Sequence, residues 1–203
     1  MSVDTLIELA NGDTPVPGEG ESIRIEAGPL RLREFRIADT KALFDIRNHH
    51  SVRSGMRDAS EITMDAHQRY VEEVILKSRD QWLFIVSNDG VDVGIALLRD
   101  IVANTAEIGI MVIDPPHHRR EAYFASQMIC RFAFDKLGLE RLISKVPQGN
   151  DSALAYNLKS GFVIERPADD TYHYLLLEVG RYYAHPTHRR FHQRWPVRIG
   201  RAR

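Results

Sequence analysis

Residues 106–138 read AEIGIMVIDPPHHRREAYFASQMICRFAFDKLG, and their reading decides the fold. Ala106–Ile113 is an apolar run of strand length, interrupted only by Glu107 and Gly109. Asp114-Pro115-Pro116 ends it, because proline has no N–H to offer a ladder. Glu121–Leu137 then reads as one long helix, with Gly138 as its C-terminal cap. A strand, a hard stop and a long helix make a helical crossover.

Outward from this unit, the N-terminal side is built of hairpins. Trp82–Ser87 and Val91–Leu98 read as strands joined by Asn88-Asp89-Gly90, a strong hairpin turn signal. Asn104 marks the next turn, which makes Ala106–Ile113 the fourth strand. Leu30–Phe35 is the first, with alternating apolar residues. Two helices stand between it and Trp82: one after Asp39, a candidate N-cap, and one from Thr63. On the C-terminal side follow a strand at Leu142–Val146, a helix at Ser152–Lys159, and strands at Phe162–Glu165 and Tyr172–Glu178. The order β-α-α-β-β-β-α-β-α-β-β is mixed α/β and lacks the regular alternation of a doubly wound fold. Neither G-x-x-x-x-G-K-[ST] nor G-x-G-x-x-G occurs.

The 203 residues, 43% apolar and 27% charged, fit one globular domain with extensions. No apolar run reaches the ~18–20 residues of a membrane helix. MSVDTLIELANGD lacks the basic start and apolar stretch of a secretory signal. The lone Cys130 excludes an internal disulfide and a Cys-rich zinc site. A cytoplasmic location and no membrane partner are the expectation. The net charge of -1 hides a split. Residues 181–203 hold seven arginines, three histidines and no acid, which leaves residues 1–180 at -8. Residues 1–27 hold six acids and one arginine. The expected division is an acidic N-terminal extension (1–27), a domain (28–180) and a basic C-terminal extension (181–203).

Three segments carry a family resemblance: AEIGIMVIDPP, the stretch ending FAFDKLGLERL, and NDSALAYNLKSGF, with Asn150, Ala153, Lys159, Gly161 and Phe162 in register. Together they resemble the GNAT superfamily of acyl-CoA-dependent N-acyltransferases over roughly residues 28–180. IRNHHSVRSGM followed by ITMDAHQRYV is similar to the subgroup that acetylates amino groups on nucleotide-linked sugars, with Arg47, Asn48, Val52, Arg53, Met56 and His67 matching. Ribosomal-protein N-terminal acetyltransferases share part of that pattern.

The resemblance implies a mixed, splayed sheet flanked by helices in a single domain. It implies acetyl transfer from acetyl-CoA to a primary amine by direct attack, with no acyl-enzyme and no metal. The backbone of Ile110, Met111, Val112 and Ile113 would pair with the pantetheine arm, and a strand N–H would polarise the thioester carbonyl. The acceptor would be a small-molecule amine, first of all a nucleotide-linked amino sugar, and second a protein N-terminus. A homodimer is a further option.

The chain departs from the family in two places. The family's Q/R-x-x-G-x-G/A falls on His117-His118-Arg119-Arg120-Glu121-Ala122, where only Ala122 conforms. These six are the candidate pyrophosphate site. Its arginines would replace a glycine loop by charge-assisted bonds, or else form a solvated basic helix start. Adjacent His117 and His118 lack the further ligands a zinc site needs. The family's thiolate-protonating tyrosine falls on Asn157, with Tyr156 one place early, about 100° away around a helix. A non-catalytic acyl-CoA-binding protein on the same fold is therefore the competing class.

Each remaining candidate has two readings. Glu107 is a base for the ammonium form of the acceptor, or an outward strand residue. His67 faces the acceptor, or caps a helix. Arg47, Asn48, His49 and Arg53 contact the acceptor's anionic groups, or pair with helix ends. Asn150 touches the cofactor or shapes its loop. Tyr156 is the general acid or a packed aromatic, and Cys130 is core. The basic segment docks on the domain, on a partner subunit or on CoA, or binds nucleic acid through arginines and aromatics.

Overall fold

The computed structural model describes residues 22–113 and 120–202. Along the chain the elements are β1 (Ser22–Ala27), β2 (Leu30–Glu34), α1 (Thr40–Asn48), α2 (His50–Arg53) and α3 (Met64–Tyr70), the last continuing as a π-helical turn over Val71–Ile75. Then come β3 (Trp82–Asn88), β4 (Val91–Val102), β5 (Thr105–Val112), α4 (Arg120–Asp135), β6 (Arg141–Pro147), α5 (Asp151–Lys159), β7 (Val163–Arg166) and β8 (Tyr172–Glu178). Last are α6 (Val179–Ala184), α7 (Pro186–Arg194) and β9 (Arg198–Ala202).

The strands form one sheet in the order β7-β8-β6-β5-β4-β3-β2-β1-β9. Every neighbouring pair is antiparallel except β5 and β6. Those two run parallel because α4 carries the chain back across the sheet between them. Their pairing covers only Thr105↔Arg141, Ala106↔Leu142 and Glu107↔Ile143. Beyond it the strands part. β6 stays paired to β8 as far as Pro147, and β5 stays paired to β4 as far as Val112. Gly94 sits where β4 meets the end of β5, and a side chain there would run into the Met111 carbonyl oxygen.

Alternation along the strands sends side chains to two cores. Ala106, Ile108, Leu142 and Val146 pack with Phe124, Met128, Ile129 and Phe132 of α4. Ile85 and Ile95 pack on the other face with Leu43, Ile46, Val52, Val71 and Ile75 of the α1–α3 layer, flanked by Leu97 and Met111. Each fully buried side chain of this size is worth roughly 1.5–3 kcal/mol of transfer free energy.

Four features differ from the sequence reading. The sheet has two more strands, β1 and β9, and they pair with each other from Ser22↔Ala202 to Glu26↔Arg198. β1 lies within the segment read as an acidic extension, yet Ile23, Ile25 and Ala27 are buried by period-two alternation. The basic segment 181–203 forms most of α6, all of α7 and β9, and α6–α7 cover the outer face of α4. Asp39 stands at the N-cap of α1 without capping it. Its carboxylate turns back to accept from Arg36 N at 2.9 Å and to pair with Arg33 at 2.5 Å, so it serves the preceding turn.

Candidate functional site

The parting of β5 and β6 leaves Ile108–Val112 of β5 without a strand partner on that side among the described residues. A β-strand edge offers a row of backbone donors and acceptors at 3.3–3.4 Å rise, a template for any extended ligand carrying amides. Ile110, Met111 and Val112 lie on that edge, and Ile113 follows it, its own N–H bonded to Val93 O at 2.8 Å.

At the head of the opening sits Glu107, 7% exposed. Arg99 lies opposite it in the β4–β5 register. Arg99 Nε donates to Glu107 Oε1 at 2.8 Å, and the guanidinium makes a second, shorter bond to the same oxygen. Lys145 Nζ lies 2.5 Å from Oε2. Glu107 thus stands with two cations on the face shared with Met111 and the α1–α3 layer. An incoming ammonium would compete with both for its lone pairs.

On the opposite face Tyr156 reaches from α5 to α4, its hydroxyl 2.6 Å from Ser126 Oγ. Burial pushes the phenol up to about 12, against hydrogen bonds from Ser126 and Ser160. Tyr156 is therefore a neutral donor near pH 7. Asn157, at the family's tyrosine position, turns its amide back to Ala153 O at 2.9 Å within its own helix. Asn150 caps α5 by accepting from Ala153 N at 3.1 Å, and its amide donates to Gly55 O at 2.8 Å. That bond ties the loop after β6 to the loop after α2.

The front-half candidates are gathered around one loop. Asn48 holds Ile62 by two bonds, Nδ2 to Ile62 O at 2.9 Å and Ile62 N to Oδ1 at 3.0 Å. Arg53 donates to Ala59 O at 2.8 Å and to Glu61 at 2.9 Å. Arg47 Nη2 donates to Asp58 O at 3.2 Å, while its Nη1 is buried with no hydrogen-bond partner among the described residues. His49 caps α2 through Nδ1, which lies 2.8 Å from Ser51 Oγ. His67 is buried, its Nε2 3.0 Å from the Thr40 carbonyl, which makes that nitrogen the proton donor. Its pKa is lowered chiefly by burial. These side chains set the shape of residues 54–62, and His67 joins α3 to α1.

Of the candidate pyrophosphate residues, His117, His118 and Arg119 lie outside the described residues. Arg120 is exposed, and Ala122 is half-buried. Glu121 is buried and accepts from Asn88 Nδ2 at 3.0 Å, which points it at the β3–β4 turn. Among the described residues no group of three or more His, Cys, Asp or Glu is placed to hold a metal.

Sequence reasoning missed Arg99, Lys145 and Ser126. Two of them were within its reach. The turn at Asn104 sets a register that brings Arg99 opposite Glu107, and Lys145 follows from the same face alternation on β6. Ser126 needed the packing of α5 on α4, which no local pattern supplies.

The family model for the Acetyltransferase (GNAT) domain matches residues 29–163. The chain belongs to this family of acetyltransferases, whose members use acetyl-CoA. Several solved structures share the fold. Spermidine N-acetyltransferase from Vibrio cholerae, solved with CoA and spermine, is 17% identical with a TM-score of 0.64, over 76% of this chain and 98% of that one. FdhC, a nucleotide-linked sugar GNAT, is 20% identical with a TM-score of 0.66, over 79% and 92%. N-acetyltransferase PseH from Campylobacter jejuni is 17% identical with a TM-score of 0.58, over 75% and 99%. No curated protein matches the sequence. No helix among the described residues is long and apolar enough to cross a membrane.

Proposed function

We propose that this protein transfers the acetyl group of acetyl-CoA to a primary amine, carried first of all by a nucleotide-linked amino sugar. The observation that carries the reading is the unpaired edge of β5 in a chain of this family. The amide-bearing arm of acetyl-CoA fits that edge, and it brings the thioester toward Glu107 and the parting of the strands. A backbone N–H of β5 polarises the thioester carbonyl. The amine nitrogen attacks the carbonyl carbon, the attacking nitrogen gives up its second proton to solvent, the carbon–sulfur bond breaks, and the leaving thiolate takes a proton. Tyr156 is the acid assigned to that proton, since burial keeps its hydroxyl protonated. Glu107, directly or through water, takes the proton from the ammonium form of the acceptor.

The cations on the acceptor face support an anionic acceptor. Arg99 and Lys145 supply positive charge there. FdhC, with the same fold, is a nucleotide-linked sugar GNAT. A second reading, acyl-CoA binding without catalysis, is favoured by two observations: Tyr156 Oη is spent on Ser126, and Glu107 is spent on two cations.

Titration with acetyl-CoA and desulfo-CoA, followed by thiol release across a panel of amines, tests both. Thiol release with a nucleotide-linked amino sugar is the expected result. Turnover only with a peptide N-terminus or a polyamine replaces the acceptor. Binding with no turnover on any amine selects the second reading, and no binding at all overturns both.

A further inference from the structure

The opening between β5 and β6 is crossed at its head by the pair of Lys145 with Glu107. Asn150 makes a second crossing, further out. The ladder between the two strands stops at Glu107↔Ile143, and β6 runs on to Pro147. Asn150 stands just past that end, at the start of α5. Its Nδ2 reaches Gly55 O at 2.8 Å, 95 positions back in the chain. Gly55 follows α2, and the α1–α3 layer packs on the β3–β5 side of the sheet through Ile85 and Ile95. The bond therefore joins the two halves of the molecule that the parting strands separate.

Both partners are held for this contact. Asn150 N donates to Pro147 O at 3.1 Å, and its own carbonyl accepts from Leu154 N at 3.0 Å. Its side-chain amide is divided: Oδ1 accepts from Ala153 N and caps α5, while Nδ2 serves the loop. Gly55 N donates to Val52 O at 3.2 Å, which sets it against the end of α2. A Cβ on Gly55 would stand 2.9 Å from Asn150 Nδ2, so the close approach needs glycine there. The rest of the loop is tied from the other side, Asp58 by Arg47, Ala59 and Glu61 by Arg53, and Ile62 by Asn48. Residues 54–62 are thus pinned at one end to α5 and at the other to α1 and α2.

We propose that Asn150 is a positioning residue for the acceptor: its amide makes loop 54–62 and the helix carrying Tyr156 one piece, so that the loop walls the acceptor side of the opening at a fixed distance from the reacting centre. The proposal rests on the acetyl-transfer reading above. A loop already tied costs the acceptor no ordering entropy when it binds, whereas a loose one charges that cost to each binding event. A shift of about 1 Å in a bound reactant can cost about 10²-fold in rate. The donor lies along the edge of β5, to which neither end of the Asn150 amide is bonded, so loss of the tie falls on the acceptor.

The test compares KM for acetyl-CoA with KM for the acceptor in the full chain. The acceptor is a nucleotide-linked amino sugar, or the amine that replaces it in the panel above. Asn150→Asp still accepts from Ala153 N, and its charge suits a helix N-terminus, but it has nothing to donate to Gly55 O. Its melting temperature should hold, its acceptor KM should rise about tenfold or more, and its KM for acetyl-CoA should stay within about twofold. Amide hydrogen exchange across residues 54–62 should quicken. Gly55→Ala, which pushes the amide away from the loop side, should give the same split. The double variant should be no worse than the poorer single one, because both changes break one bond. Wild-type acceptor KM in Asn150→Asp overturns the proposal and leaves Asn150 a helix cap. An equal rise in both KM values overturns it too, and places the amide in donor binding. A wild-type chain that acetylates no amine overturns the transfer reading itself, and the proposal falls with it.

Discussion

Lys145 Nζ lies 2.5 Å from Glu107 Oε2, where β5 and β6 part. The pair joins two strands that have just lost their ladder bonds, and Arg99 holds the other carboxylate oxygen from β4. Glu107→Gln keeps the shape and removes the charge. On the proposed role as the acceptor's base, the variant should lose about 10²-fold in kcat with KM within a few-fold. A variant with wild-type kcat and a lower melting temperature assigns Glu107 to holding the strands together.

Tyr156→Phe removes one hydroxyl from the contact with Ser126. The stability cost of that bond is about 1 kcal/mol by urea unfolding. A general acid lost at the same time lowers kcat by about 10–10²-fold, with a smaller loss when the thiol leaving group is more acidic. Equal rates for wild type and variant would leave Tyr156 as a packing residue between α5 and α4.

The three buried or half-buried histidines with lowered pKa make acid stability a readout of packing. His188 donates from Nδ1 to Tyr182 O at 3.1 Å, which leaves its buried Nε2 unprotonated and without a partner among the described residues. Burial pulls His188 and His192 down to about 4, and it lowers His67 as well. Each is neutral in the fold, while the unfolded chain takes up the proton near pH 6.5. Their contribution is therefore whole above about pH 7 and is lost as pH falls toward 4. Melting temperature should drop by several degrees between pH 7 and pH 5. His188→Gln should flatten that slope; an unchanged slope would assign it to other groups.

Gly28 has φ +57° in the turn between β1 and β2, and a Cβ there would lie 2.9 Å from Trp195 Cε3. Gly28→Ala should cost about 2–3 kcal/mol, part from the left-handed backbone and part from the indole. In a Trp195→Ala background the cost should shrink to about 1–2 kcal/mol, the left-handed backbone plus the remaining contact with Phe124 Cε1 at 3.2 Å. Equal costs in both backgrounds would show that the indole simply moves aside.

The crossover unit, the hairpins and the two-face alternation were legible because each is written locally. Asn88-Asp89-Gly90 set a turn and Gly138 a helix end, while Asp114-Pro115-Pro116 lies outside the described residues. The last layer was legible only as one docking option for the basic segment, without its elements, although α4 carried its signature. Phe124, Gln127, Met128, Cys130 and Phe134 leave that helix buried on both sides, which one sheet cannot accomplish. Within residues 181–203 the aromatic residues pack inward: Tyr182 is fully buried and Phe191 nearly so, out of reach of any stacking base. Asn48, Arg53 and Asn150 were legible as conspicuous residues, but not as loop ties. Their partners are backbone carbonyls and amides, which no sequence distinguishes.

The pairing of Ser22 with Ala202 spans 180 positions of the chain. Closing so long a loop costs only logarithmically more than a short one at equilibrium, yet it slows folding, since the entropy is lost before the contact forms. β1 therefore stays an open edge during synthesis until residues 198–202 have emerged. A ribosome carrying a shorter chain holds a sheet with an exposed, alternating apolar strand at its margin. That margin is the natural place for a chaperone to bind, or for two nascent copies to pair in error.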